Sequence, residues 1–95
     1  MVVSMLQFIV EMPDVYSIKD KRRIIRSLKD RIGHKFKVSI AEVDLQDSLR
    51  FAQVGVAKVS NSRKFGESVM NKILTFTENN VEGRLVDARI MTERY

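Results

Sequence analysis

The hydrophobic periodicity of this chain switches repeatedly between two values, and the order of the switches restricts the fold more than any other feature. Four segments alternate apolar and polar residues as strands do, and two repeat apolar residues every three or four positions as helices do. The strands are predicted at 2–12, 36–43, 50–59 and 84–91. The order β-α-β-β-α-β favours an α+β, ferredoxin-like sandwich: a four-stranded antiparallel sheet with two helices on one face.

The ends of the helices are predicted from capping residues. Ser17 is placed to accept hydrogen bonds from the first-turn amides of the first helix, and Gly33 suits the left-handed residue that ends a helix. The segment 60–62 supplies cap residues for the second helix, which Asn79 and Asn80 should end. No linker, repeat or low-complexity segment interrupts the 95 residues, so 1–95 is predicted to be one domain.

Each predicted element has one apolar face, which we expect to point into a shared core. These positions are Leu6, Phe8, Val10 and Met12 on the first strand, Ile18, Ile25, Leu28 and Ile32 on the first helix, Phe65, Val69, Ile73 and Phe76 on the second helix, and Val86, Ala88 and Ile90 on the last strand. A chain of this length buries only a modest core and usually gains stability from a dimer or another partner.

The positive charge of the protein is concentrated in its first helix. The net charge is +5, but residues 19–37 hold nine basic residues against two acidic ones, so this segment carries +7 and the remainder −2. Five of these side chains fall on the helix side opposite the apolar stripe, and two more extend the patch. They are Lys19, Arg22, Arg23, Arg26 and Lys29, followed by Lys35 and Lys37. This stripe can contact several phosphates of an RNA at once; an ordinary solvated helix face is the alternative.

One lysine of the same helix breaks the pattern. Lys21 falls inside the apolar arc, between Ile18 and Ile25. Its ammonium group either extends along the helix surface to reach water or pairs with a carboxylate at the sheet edge. Glu42 is the candidate partner for the second arrangement.

The sequence contains no recognisable constellation of catalytic residues, and we expect no catalytic site and no cofactor. The chain has no cysteine and a single histidine, His34, so it offers neither a thiolate nor a nucleophile–base pair of the triad kind. The four glycines lie singly and form no phosphate-binding loop. Glu42, Asp44 and Asp47 could hold a divalent cation, but the turn chemistry of aspartate explains them equally well, and no metal site is predicted.

The sheet face that points away from the helices is predicted to be unusually apolar. The residues assigned to it are Met5, Ile9, Phe51, Ala57 and Val59. An exposed patch of this kind often marks an interface, which predicts a homodimer or a partner on the sheet; singly tolerated apolar residues are the alternative.

A cytoplasmic location is expected. The apolar segment 1–10 lacks a basic leader and a small-residue cleavage site, and no stretch is long enough to span a bilayer, so no membrane association is predicted.

Two segments resemble the YlxP-like family of small bacterial proteins of unknown function. They are SIKDKRRIIRSLKDRI at 17–32 and VSIAEVDLQDSLRFAQVGVAKVSNS at 38–62. The resemblance covers nearly the whole chain and implies a ferredoxin-like fold and a link to translation, since such proteins are often encoded beside translation-initiation and ribosome-maturation factors. The matching positions are Ser17, Lys19, Asp20, Lys21, Arg22, Glu42 and Asp44. Leu49 stands where the family favours tryptophan, and the family offers no catalytic residues to transfer.

Two functions are therefore expected as alternatives. The first is a non-enzymatic RNA-binding module, associated with ribosomal particles, that contacts phosphates through the basic first helix. The second is a homodimeric regulatory or scaffold module that binds a protein or a small molecule through the open sheet face.

Overall fold

The computed structural model describes all 95 residues and contains six elements in the predicted order. The strands are β1 (Val2–Glu11), β2 (Ser39–Asp44), β3 (Phe51–Ser60) and β4 (Arg84–Arg94), and the helices are α1 (Ile18–Phe36) and α2 (Arg63–Asn80). The strands form one antiparallel sheet in the order β2-β3-β1-β4. α1 packs beside β2, and α2 lies over β1 and β4, as the ferredoxin-like prediction requires. Neither helix is long and apolar enough to cross a membrane.

β1 is a central strand and holds the sheet together. Val2 pairs with Ser60 of β3 on one side and with Arg94 of β4 on the other, and both ladders continue to Glu11. The two ends of the chain also meet, because the Tyr95 N–H donates to the Met1 carbonyl at 2.7 Å. β2 and β4 are left as the two edges of the sheet.

The core lies between the sheet and the two helices and confirms most of the predicted apolar positions. On the sheet side the core contains Leu6, Phe8 and Val10 of β1, Met12 directly after β1, and Ala52, Val54 and Val56 of β3. Its helix residues are Ile24, Ile25, Leu28 and Ile32 on α1, with Val69, Met70 and Ile73 on α2. Burial of these side chains on one face fixes which face of α1 is left for solvent.

α1 is longer than the sequence predicts. Gly33 does not end it; the helix continues to Phe36, and Lys37 takes the left-handed conformation with φ 55°, donating its N–H to the Gly33 carbonyl. The extra turn places the Phe36 ring edge-on against Phe76 of α2, with ring centroids 5.8 Å apart. This aromatic contact stabilises the added turn, and it is not visible in the local sequence.

Four predicted core positions are exposed instead, among them Ala88 on the edge strand β4. Ile18 lies at the first turn of α1, outside the packed stripe. Phe65 is 53% exposed because α2 presents its neighbour Gly66 to the sheet. Val86 is 45% exposed because β4 contains a bulge at this point, which brings Leu85 rather than Val86 opposite Val10.

Lys21 of α1 is buried and anchors the β2–β3 connection. Only 3% of the residue is exposed, and its ammonium group lies 3.2 Å from a carboxylate oxygen of Glu42. The same group donates hydrogen bonds to the main-chain carbonyls of Leu45, at 2.9 Å, and Ser48. Of the two arrangements that the sequence leaves open for Lys21, the structure has the pairing with Glu42. The two carbonyl bonds were not predicted, because they depend on the shape of the 45–50 turn.

We expect Lys21→Met to lower the free energy of unfolding by about 2–4 kcal/mol, because the Glu42 carboxylate and two carbonyls lose their shared donor. Urea denaturation measures this. Lys19→Met is the matched control on the exposed side of the same turn, and it should change the value by less than about 0.5 kcal/mol. Equal effects of the two substitutions would contradict the anchoring role.

The close approach of α2 to β1 gives a second stability prediction. A Cβ on Gly66 would overlap the hydroxyl of Ser4, which is itself fully buried. Gly66→Ala should therefore destabilise the protein by about 1–3 kcal/mol, although alanine favours helices.

Gly33→Ala is the control within the other helix, where the added Cβ would lie 3.6 Å from Ile40, an ordinary contact. This substitution should be neutral or stabilising by up to about 1 kcal/mol. Thermal unfolding measures both effects. Equal changes in melting temperature for the two substitutions would contradict the close packing of α2 on β1.

Candidate nucleic-acid interface

The basic residues of α1 form one exposed face because the helix buries its opposite side. Ser17 caps the helix by accepting a hydrogen bond from the Asp20 N–H at 3.1 Å, which fixes where the helical repeat begins. Residues three or four positions apart share one side of the helix, and the set that begins with Lys19 lies on the side that points to solvent. Lys19, Arg22, Arg23 and Arg26 are exposed and Lys29 is half-buried. We call these five residues the basic face.

Arg22 and Arg26 lie at the centre of the basic face. On one side they line a broad surface groove along α1, together with Lys19 and Arg23 and with the acidic residues Asp20 and Asp30. On the other side they border a cleft of about 260 Å³ between α1 and the β2–β3 connection. Lys29 lines this cleft, and the Lys21–Glu42 pair forms part of its wall. An anion in either depression would therefore meet Arg22 and Arg26.

Two arginines of α1 are engaged within the protein. Arg23 donates two hydrogen bonds to the Glu82 carboxylate, at 3.2 and 3.3 Å. These bonds and the opposite charges raise the pKa of Arg23 and lower the pKa of Glu82. Arg31 donates to the Asn80 side chain at 2.9 Å and lies over the Phe76 ring. Both arginines thus help to join α1 to the end of α2.

The other predicted phosphate ligands have no carboxylate partner. The ion pairs of the protein are Lys21–Glu42, Arg23–Glu82 and Arg84–Glu11. Lys19, Arg22, Arg26, Lys29, Lys35 and Lys37 are absent from them. None of these six side chains is therefore held in an ion pair within the protein.

The structure separates Lys35 from Lys37, which the sequence treats as one extension of the basic face. Lys37 follows α1 and lines a shallow depression with Lys29 and His34, so it does continue the basic face. Lys35 lies on the α2 side, with its ammonium group 5.8 Å from the ring centroids of Phe36 and Phe76. The patch thus divides at the last turn of α1.

An exposed aromatic residue beside the start of α1 was missed. The Tyr16 ring is 73% exposed and lies under the Arg50 guanidinium, 5.0 Å away. Arg50 is held in place by a hydrogen bond from its Nε to the Val15 carbonyl at 3.2 Å. The sequence showed only an aromatic residue in a polar loop. Its partner Arg50 lies directly before β3, 34 positions away, and the two meet only in the folded protein.

The acidic residues at the end of β2 serve local structure. Glu42 faces Lys21, and Asp44 accepts a hydrogen bond from the Leu45 N–H at 2.8 Å, which supports the left-handed conformation of Leu45. No three histidine or acidic side chains lie close enough together to share a metal ion. His34 is exposed in the last turn of α1.

The predicted interface residues do share the open face of the sheet. Met5 pairs with Ala57, while Val59 pairs with Val3 at one end and Phe51 with Glu11 at the other. Polar side chains divide this surface, because Gln53 donates to Gln7 across its centre at 3.3 Å. Ile9 lies beside Gln53, and Arg84 pairs with Glu11 near Phe51. The apolar residues therefore do not form one continuous patch.

Comparison with known proteins agrees with this fold. A de novo designed protein with ferredoxin fold, solved by solution NMR, superimposes with a TM-score of 0.55 over 98% of this chain and 83% of that chain. The two sequences are 12% identical, so the likeness concerns the fold alone.

The sequence relatives are themselves without an assigned function. The uncharacterized protein YlxP of Bacillus subtilis (strain 168) is 35% identical over 66 residues, which cover 70% of this chain and 72% of that protein. Residues 3–90 match the family described as "Protein of unknown function (DUF503)". The resemblance drawn from the 17–32 and 38–62 segments is thus confirmed, and the chain belongs to the DUF503 family.

Proposed function

We propose that this protein is a non-enzymatic RNA-binding module whose basic face contacts phosphates of ribosomal RNA. The observation that carries the proposal is the unpaired charge of Arg22 and Arg26. Both guanidinium groups are exposed, lie between two depressions and have no carboxylate partner, although the same helix pairs Arg23 with Glu82. Unpaired arginines on a rigid helix are well suited to bind phosphate with two parallel hydrogen bonds.

The spacing along α1 suits a polyanion better than a single small anion. Lys19, Arg22, Arg26 and Lys29 follow one another at three or four positions, so they place a cation on each turn, about 5.4 Å apart along the axis. A row of this kind can neutralise successive phosphates and release their counterions. Ribosomal RNA fits this chemistry, and the link to translation implied by the family resemblance points the same way.

Recognition by this surface would depend on charge and shape rather than on base sequence. The basic face itself contains no aromatic side chain on which bases could stack. Tyr16, two residues before the first residue of α1, is an exposed ring that such a base could meet. We expect the binding energy to come mainly from phosphate contacts and to fall as salt rises.

The double substitution Arg22→Glu/Arg26→Glu tests the proposal. It should reduce co-sedimentation with purified ribosomal subunits by at least about tenfold at physiological salt, because two charge-assisted contacts become repulsive. The wild-type protein should lose affinity steeply across a salt series.

Lys64→Glu/Lys72→Glu is the matched control, because it makes the same change of net charge on the exposed side of α2. Its binding should stay close to that of the wild type. Equal loss in the two variants would mean that net charge alone governs association. Unchanged binding in the α1 variant, or no binding by the wild type even at low salt, would end the proposal.

A further inference from the structure

β4 is an edge strand whose outer backbone groups are free to pair. Met1 and Tyr95 exchange two hydrogen bonds, which fixes the alternation along the β1–β4 ladder. Alternate β4 residues, including Asp87 and Arg89, therefore direct their N–H and C=O groups to β1. The residues between them, Ala88 and Ile90, direct theirs outward. An edge of this length is a template for another strand unless something covers it.

The free part of this edge is centred on Ala88. Towards the end of the strand, the Arg63 side chain donates to the Thr92 carbonyl at 3.2 Å and so occupies one outward group. Towards its beginning, the bulge at Val86 interrupts the regular ladder. Between these two points the backbone of β4 is regular and has no partner on its outer side.

The side chains around Ala88 are complementary to themselves in antiparallel pairing. Asp87 and Arg89 are exposed, carry opposite charges and lie on the same sheet face. If a second copy of β4 runs antiparallel about a two-fold axis at Ala88, Asp87 of each copy lies opposite Arg89 of the other. Such directly opposed charges stabilise a strand pair. On the helix side, Ile90 of each copy then meets the bulge at Leu85 and Val86, and all three side chains are partly or largely exposed in one chain.

Other registers are disfavoured by the same side chains. An axis at Asp87 or Arg89 sets that charge against itself, and an axis at Ile90 sets Asp87 against Glu93. An axis at Met91 would bring Arg89 to Glu93, but it needs the Thr92 carbonyl that Arg63 already occupies. An edge protected by lysines alone repels a second copy in every register, whereas this edge disfavours four registers, three through its side chains and one through the occupied carbonyl, and favours the register about Ala88.

We propose that β4 pairs with β4 of a second copy about a two-fold axis at Ala88, joining two four-stranded sheets into one continuous sheet. Because this axis is perpendicular to the sheet, both helical layers lie on the same side, and the two basic faces point in the same direction. The open sheet face takes no part. The pairing does not depend on RNA binding, so either proposal can fail alone.

Two charge-reversal variants test the pairing without disturbing the core. Asp87→Arg sets arginine against Arg89 of the second copy, and Arg89→Asp sets aspartate against Asp87. By sedimentation equilibrium at high protein concentration, the wild type should approach twice the 11.0 kDa of one chain, and each variant alone should remain monomeric. An equimolar mixture should recover the dimer, because every opposed pair in the mixed dimer again joins opposite charges.

Asp47→Arg, in the β2–β3 connection, is the control for Asp87→Arg because it makes the same change of net charge away from β4. This variant should dimerise like the wild type. Thermal unfolding confirms that each variant is folded. A monomeric wild type at millimolar concentration overturns the proposal. Single variants that still dimerise, or a mixture that stays monomeric while the wild type dimerises, overturn it as well.

Discussion

The position of α1 depends on one buried ammonium group. Lys21 reaches through the edge of the core to Glu42 and to the carbonyls of Leu45 and Ser48, so a single side chain joins the helix to the connection between β2 and β3. A buried lysine is costly unless its charge and donors are satisfied, and here two carbonyls accept hydrogen bonds from it and the Glu42 carboxylate lies 3.2 Å away. Because Lys21 points inward, its neighbour Arg22 and the residue one turn later, Arg26, must point outward.

The fold was largely predictable because local signals agreed with one another. The period of the apolar residues, the Ser17 cap and the β-branched strand segments all indicated the same β-α-β-β-α-β order. The sequence also named Glu42 as the candidate partner of Lys21 in one of the two arrangements it left open, since the helical wheel put a charge where the core should be. What it could not show were features set by tertiary contact. The rotation of α2 depends on the fit of Gly66 against Ser4, and the extra turn of α1 depends on Phe76.

The candidate site was predictable in its residues but not in its pairing. The distribution of basic residues along the sequence located the charge on α1. It could not separate Arg23, which forms an ion pair with Glu82, from Arg22 and Arg26, which form none. Glu82 lies 59 positions from Arg23, so only the packing of the two helices reveals the pair. The structure thus separates Arg23, which is held in an ion pair, from the other members of the predicted basic stripe, which are not.

The proposed RNA-binding surface is α1 and not the open face of the sheet. Titration of the isotopically labelled protein with a short ribosomal RNA hairpin, followed by amide chemical shifts in NMR spectra, tests this most directly. We expect the largest shifts to cluster along α1 from Lys19 to Lys29, while the amide signals of Met5, Ile9 and Ala57 on the open face stay unchanged. Shifts concentrated on the open face, with α1 unaffected, would contradict it.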